Sequence, residues 1–152
     1  MLIPREARGS VLLLFPAGVL VVMVLAAIAV DASIAFLGER ELAAAVAGAA
    51  NDAATEAISD EAFYGAGQVE LDDAEVARVA EERVRTSLDA GRHQGLDVRA
   101  SVVRTSGGCP SLEVEASATV RYLFARALPG GPDEARVAST ASSSPLQEDS
   151  RC

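Results

Sequence analysis

Between Arg8 and Asp31 the chain carries no charged residue: Gly9 is followed by SVLLLFPAGVLVVMVLAAIAV, residues 10–30. Roughly 20 apolar residues, rising about 1.5 Å each as a helix, match a hydrocarbon core about 30 Å thick. Such a run has three readings: a targeting signal that is removed, a plain membrane anchor, or a working part of the protein. The flanking charges bear on its direction. Arg5 and Arg8 precede it with Glu6 as the only acid, whereas Asp31, Glu39, Arg40 and Glu41 follow. The positive-inside bias therefore places the N-terminus in the cytoplasm and the chain beyond about residue 35 outside, as a single-pass protein of the cell membrane.

The remainder of the 152 residues leaves room for one small domain. Aromatic residues make up 4% and Trp is missing, so a globular core must be built from Ala, Val and Leu. The net charge of −9 argues against a nucleic-acid partner, because no basic patch is present to neutralise phosphates. Cys109 and Cys152 would both lie in a compartment that permits disulfides, and with two cysteines one intramolecular pairing exists. Two unpaired thiols, or an intermolecular bond through Cys152, are the alternatives. These cysteines and the lone His93 do not supply a four-ligand zinc set, and no metal, cofactor or small-molecule substrate is expected.

The patterning divides the chain into a cytoplasmic lead (1–9), a transmembrane helix (10–37), an Ala-rich continuation (38–62), an extracytoplasmic α+β domain (63–142) and a polar tail (143–152). Pro16 either starts the first helix or kinks one already begun. Residues 31–57 hold no Pro and are dominated by Ala, Leu and Glu, strong helix formers, so one helix of about 40 residues or more is expected. Ala43, Ala47 and Ala50, with Gly48 beside them, recur at three- and four-residue spacing. Small residues so spaced let another helix approach closely. Gly65 and Gly67 break the chain; without a third Gly, a Lys-Ser/Thr pair or a preceding strand they read as a linker and not a phosphate loop.

A second helix begins at a cap supplied by Asp72 or Asp73, carries an apolar stripe of Val76, Val79, Ala80, Val84 and Leu88, and is closed by Gly91. The period then changes to two. Leu96, Val98, Ala100 and Val102 alternate with polar residues, and so, after a turn, do Leu112, Val114, Ala116, Ala118, Val120, Tyr122 and Phe124. That is a hairpin with one wet face. Residues 135–141 make a third, weaker strand. The fold class is α+β: a long helix, a second amphipathic helix and a small antiparallel sheet of about three strands.

Little in this pattern is catalytic. His93 follows the second helix as an exposed turn residue, and the adjacent acids Asp72-Asp73 and Glu81-Glu82 point apart on a helix, as cap and solvated face. The chain is read as non-enzymatic. Asp31 has two readings. It marks the outer membrane boundary, or its carboxylate pairs with a neighbouring subunit, since an unpaired acid at the bilayer centre costs roughly 2.5 to 3.5 kcal/mol.

Arg8-Gly9-Ser10, Phe15-Pro16, Val30-Asp31 and Arg40-Glu41-Leu42 followed by AAAVAGAA resemble the N-terminal segment of the TadE/TadG-like proteins of tight-adherence (Flp) pilus systems. The resemblance covers roughly residues 8–57, and the later strands fit the general layout of such proteins. It implies a pilus-assembly or minor-pilin-like (pseudopilin-like) protein of such a pilus or a related secretion system. Such a protein sits in the membrane and assembles with other pilin-like subunits through its N-terminal helix. It also implies prepilin-type processing between Gly9 and Ser10, conditionally. TadE-type members carry Glu five residues after the Gly, where this chain has Leu14, which places it nearer the TadG-like branch. An Asp usual in the family's Ala helix is here Ala47, with Asp52 about a turn later. The alternative is a secreted or membrane-anchored binding domain whose run is only a targeting signal; Ala27-Ile28-Ala29 fits a small-x-small cleavage site.

Overall fold

The computed structural model describes residues 10–56, 71–104 and 110–144. Helix α1 spans Ser10–Glu56, 47 residues, with Pro16 inside it. At 1.5 Å per residue it is about 70 Å long. Pro16 thus sits in a helix already under way, where it removes one backbone donor from the second turn. The remaining elements are α2 (Asp73–Ser87), β1 (His93–Val103), β2 (Ser111–Arg121), a 3-10 turn (Ala125–Ala127) and β3 (Glu134–Ser143). The strands form one antiparallel sheet in the order β1-β2-β3. The fold is α+β.

The two halves of α1 live in different surroundings. Leu14, Phe15, Leu20, Val22, Met23, Leu25 and Ile28 are all exposed, and the helix is long and apolar enough to cross a membrane. From Asp31 onward one side of the helix is covered. Leu42, Val46, Ala49, Ala50, Ala53 and Ala54 join Val76, Val79, Ala80 and Val84 of α2 and Leu112, Val114, Ala116, Ala118 and Val120 of β2 in one core. The Ala-rich stretch up to Glu56, α2 and the sheet therefore share one core; the boundary expected at residues 62/63 lies outside the described residues. Alanines suit this position because a side chain of one methyl lets a helix backbone lie close to a sheet that is itself Ala- and Val-rich.

Helix α2 starts where Asp72 caps it, the carboxylate accepting from the N–H groups of Ala74 and Glu75 at 2.9 and 3.3 Å. It ends at Ser87, a turn before Gly91: Leu88 is already extended, and the Asp89 carboxylate accepts from the Gly91 N–H at 2.8 Å. That local side-chain turn competes with the helix and ends it early. β1 likewise begins earlier than its apolar alternation, at His93. An irregularity in its pairing to β2 falls between Gln94 and Asp97, where Gly95 has φ 62. β2 stops at Arg121, so Tyr122 and Phe124 continue the sequence alternation but not the strand. β3 is no weak partner, being paired with β2 from Leu112↔Ser143 to Arg121↔Glu134.

Cross-contacts establish the directions. Ser143 Oγ donates to Asn51 Oδ1 at 2.9 Å, which puts the start of β2 and the end of β3 near the far end of α1. Val120, at the other end of β2, lies against Gly38. β2 thus descends α1 toward its apolar half, and the connection from β2 to β3 is the tip of the domain nearest that half.

Candidate functional site

At this tip Asp31 is 5% exposed, the first residue along α1 to be buried among the described residues. One carboxylate oxygen accepts from the N–H groups of Leu123 (2.7 Å) and Phe124 (3.0 Å), and the other from Phe124 (3.2 Å) and Ala125 (2.6 Å). Three successive backbone donors thus converge on one anion, the arrangement by which a turn makes an anion-binding concavity. The cause is local. Phe124 stands at the N-cap of the 3-10 turn and provides no side-chain acceptor, so the turn's first donors are orphaned. Asp31, 92 or more residues earlier in the chain, supplies the missing cap. The carboxylate is therefore partnered inside its own subunit, which leaves it no need of the alternative reading, a pairing with a neighbouring one.

A second closure lies a turn or two higher. His93 is buried, not an exposed turn residue, and its Nε2 lies 3.1 Å from the Gly38 carbonyl oxygen. A carbonyl can only accept, so Nε2 carries the proton. The other ring nitrogen, Nδ1, is buried without a partner. Gly38 itself is buried against β2: a methyl group added there would stand 2.7 Å from Val120 Cγ2. Only the absence of a side chain permits this approach.

The three alanines expected to form a helix-packing face separate. Ala50 is 1% exposed and belongs to the chain's own core, Ala43 is half-buried, and Ala47 is exposed beside Gly48. The outward small-residue stripe is therefore Ala43, Ala44, Ala47 and Gly48. On its flank, α1 and α2 frame an open groove floored by Ala44, Ala45, Gly48 and Ala49. Arg83 spans the groove to Glu56 (2.5 Å) and Asp52 (3.3 Å), and Arg92 pairs with Glu41. The hydrogen bond and charge of Glu56, with Asp52, hold the Arg83 guanidinium above its usual range. On the outer side of α2, the Arg78 hydrogen bond holds Glu75 below the usual carboxylate range. The half-exposed pairs of Arg83 and Arg92 neutralise the groove walls, and like the Arg78 pair they contribute little stability each.

Among the described residues no three His, Cys, Asp or Glu side chains come together as a metal set. Leu14 is 64% exposed on the apolar half, and Ser10 is the first residue of α1. Gly9, Cys109, Cys152 and the Gly65/Gly67 linker lie outside the described residues. Sequence reasoning missed the Asp31 cradle and the burial of His93. A weak signal for the first was the 3-10 turn's lack of a Ser, Thr, Asp or Asn at its own start; nothing in the sequence signalled the second. Comparison with family models, with curated proteins and with solved structures finds no match.

Proposed function

We propose that the chain is a non-enzymatic, single-pass membrane protein of the pilus-assembly type, minor-pilin-like and nearer the TadG-like branch of the tight-adherence family. In this reading it lies with its N-terminus in the cytoplasm and its α+β domain outside, and assembles with similar subunits through α1. The observation that carries the reading is the continuity of α1. One 47-residue helix runs unbroken from an exposed apolar half into the core of the domain. A subunit built this way moves as one body with its anchor, so side-by-side packing of anchors also sets the spacing of the external domains. The outward stripe at Ala47 and Gly48 supports the same reading, since backbones approach closely where side chains are small.

The test is co-purification from membranes of the wild-type chain and a variant carrying Ala47→Leu and Gly48→Leu. Ala47 is exposed and a Cβ at Gly48 meets nothing within 4 Å, so the fold is expected to be retained, which circular dichroism of the variant checks. Loss of pilin-like partners from the variant is expected; undiminished co-purification counts against assembly through this face.

One observation favours the second reading, an extracytoplasmic binding domain released or anchored by a simple signal. Among the described residues Asp31 is the first to be buried, so a chain cut after Ala29 keeps the described core. The N-terminal residue of the mature protein separates the two. Ser10 or an intact terminus fits the assembly reading, and Val30 fits secretion.

A further inference from the structure

The β2–β3 connection has a composition unlike the rest of the domain. Leu123 (51%), Phe124 (44%) and Leu128 (62%) are exposed there, although the core is short of large apolar residues. Residues 121–132 contain Arg121 and Arg126 and no acid, in a chain of net charge −9, with Asp133 and Glu134 beside the two arginines at the start of β3. Position explains both. β2 descends α1, and the connection beyond it is clamped by three hydrogen bonds of 2.6–3.0 Å to Asp31, the first charged residue after the apolar run, with Phe36 and Leu37 still exposed beyond it. The loop that carries the three apolar side chains is thus fixed to the residue next in sequence to the exposed Val30, at about the level where a helix buried from Ser10 leaves the hydrocarbon.

We propose that residues 122–131 form a second membrane contact. Leu123, Phe124 and Leu128 enter the boundary between headgroups and acyl chains, Arg121 and Arg126 meet lipid phosphates, and Asp31 is the positioning residue that holds the loop at that depth. The proposal rests on the reading of α1 as a membrane-spanning helix and adds to it a fixed seating of the domain. Its occupant is the bilayer surface because the patch is continuous with the one segment already assigned to lipid. Apolar side chains flanked by arginines match an interface of apolar interior and anionic surface.

The experiment uses the full chain with Cys109→Ser and Cys152→Ser, reconstituted into phosphatidylcholine/phosphatidylglycerol vesicles. A polarity-sensitive fluorophore is attached at Leu128→Cys, at Val22→Cys in the apolar half, or at Glu113→Cys on the exposed face at the far end of β2. Lipids bearing an acyl-chain quencher report depth. The expected result is quenching at position 128 at least ~2-fold above position 113, in keeping with burial roughly 5–10 Å into the boundary. Quenching at 22 with 128 indistinguishable from 113 overturns the loop contact and leaves the anchor standing. No quenching at 22 overturns the anchor and the loop contact with it. A spectral shift at 128 that grows with protein density, without quenching, assigns the patch to a second copy of the chain and also overturns the proposal.

Discussion

Gly38 is where α1 touches the sheet most closely, and replacing it by Ala measures how tightly that contact is made. Two effects oppose each other. Ala is favoured over Gly in a helix interior by about 0.8–1.0 kcal/mol. Against this, the new methyl would lie 2.7 Å from Val120 Cγ2 and 3.4 Å from Cγ1, where carbon atoms prefer roughly 3.5–4.0 Å. Val120 cannot easily retreat: it is 1% exposed, and its strand is paired on both sides, to His93 and to Ala135. Its branched side chain is also stiff at χ1. Overpacking of this kind costs about 1–3 kcal/mol, so Gly38→Ala is expected to destabilise by about 0–2 kcal/mol.

Val120→Ala alone loses about 2 kcal/mol or more through lost burial and the space left behind. In that background the methyl at position 38 enters the vacated space, and Gly38→Ala should stabilise by about 1 kcal/mol. The substitution thus changes sign with its neighbour, a coupling of about 1–3 kcal/mol. The assay is amide hydrogen exchange across β2 (Ser111–Arg121) in the full chain held in detergent, read as the opening free energy of the domain. The apolar half of α1 need not unfold for this measurement. Additive effects, equal in both backgrounds to within about 0.5 kcal/mol, would refute the close contact.

Three further outcomes follow from the same geometry. Asp72→Ala removes the carboxylate that caps α2 and should cost about 0.5–2 kcal/mol in the same exchange measurement, with protection lost first at Ala74 and Glu75. Asp31→Asn turns one of two acceptor oxygens into a donor facing backbone N–H groups. Trypsin should then cut after Arg126 faster than in the wild type, seen by mass spectrometry, while exchange at the far end of the sheet stays unchanged. Glu75, held low by Arg78, contributes stability that is present above its unfolded value and lost as the pH falls through its folded one. Glu75→Gln should therefore lower the neutral plateau slightly, leave stability at low pH unchanged, and so flatten the acid limb of the profile.

How much of this was legible follows from the range of each interaction. The apolar run, the unbroken helix through the Ala-rich stretch, the α2 stripe and the strand alternations were all readable, because each depends on residues within a turn or a pleat of one another. The cap at Asp72 is local in the same way. A residue followed by two or three orphaned amides announces itself. Where the local pattern ran on past its element, the structure cut it short. Phe124 keeps the two-residue period yet leaves the strand, because Asp31 claims the amides of residues 123–125.

By itself, then, the sequence determined the inventory and order of elements and which half of α1 can face lipid. Only the tertiary structure decided which side of the Ala-rich half is inside. In a helix where nearly every residue is small and apolar, hydrophobicity has the same value on all sides and carries no phase. Ala50 faces inward and Ala47 outward because the sheet lies on one side, a matter of packing with residues 60 or more positions away. The same reason hid His93 and the partner of Asp31. A buried polar group is explained by what satisfies it, and here those partners, the Gly38 carbonyl and three amides of the β2–β3 connection, are brought near only when β2 descends the helix.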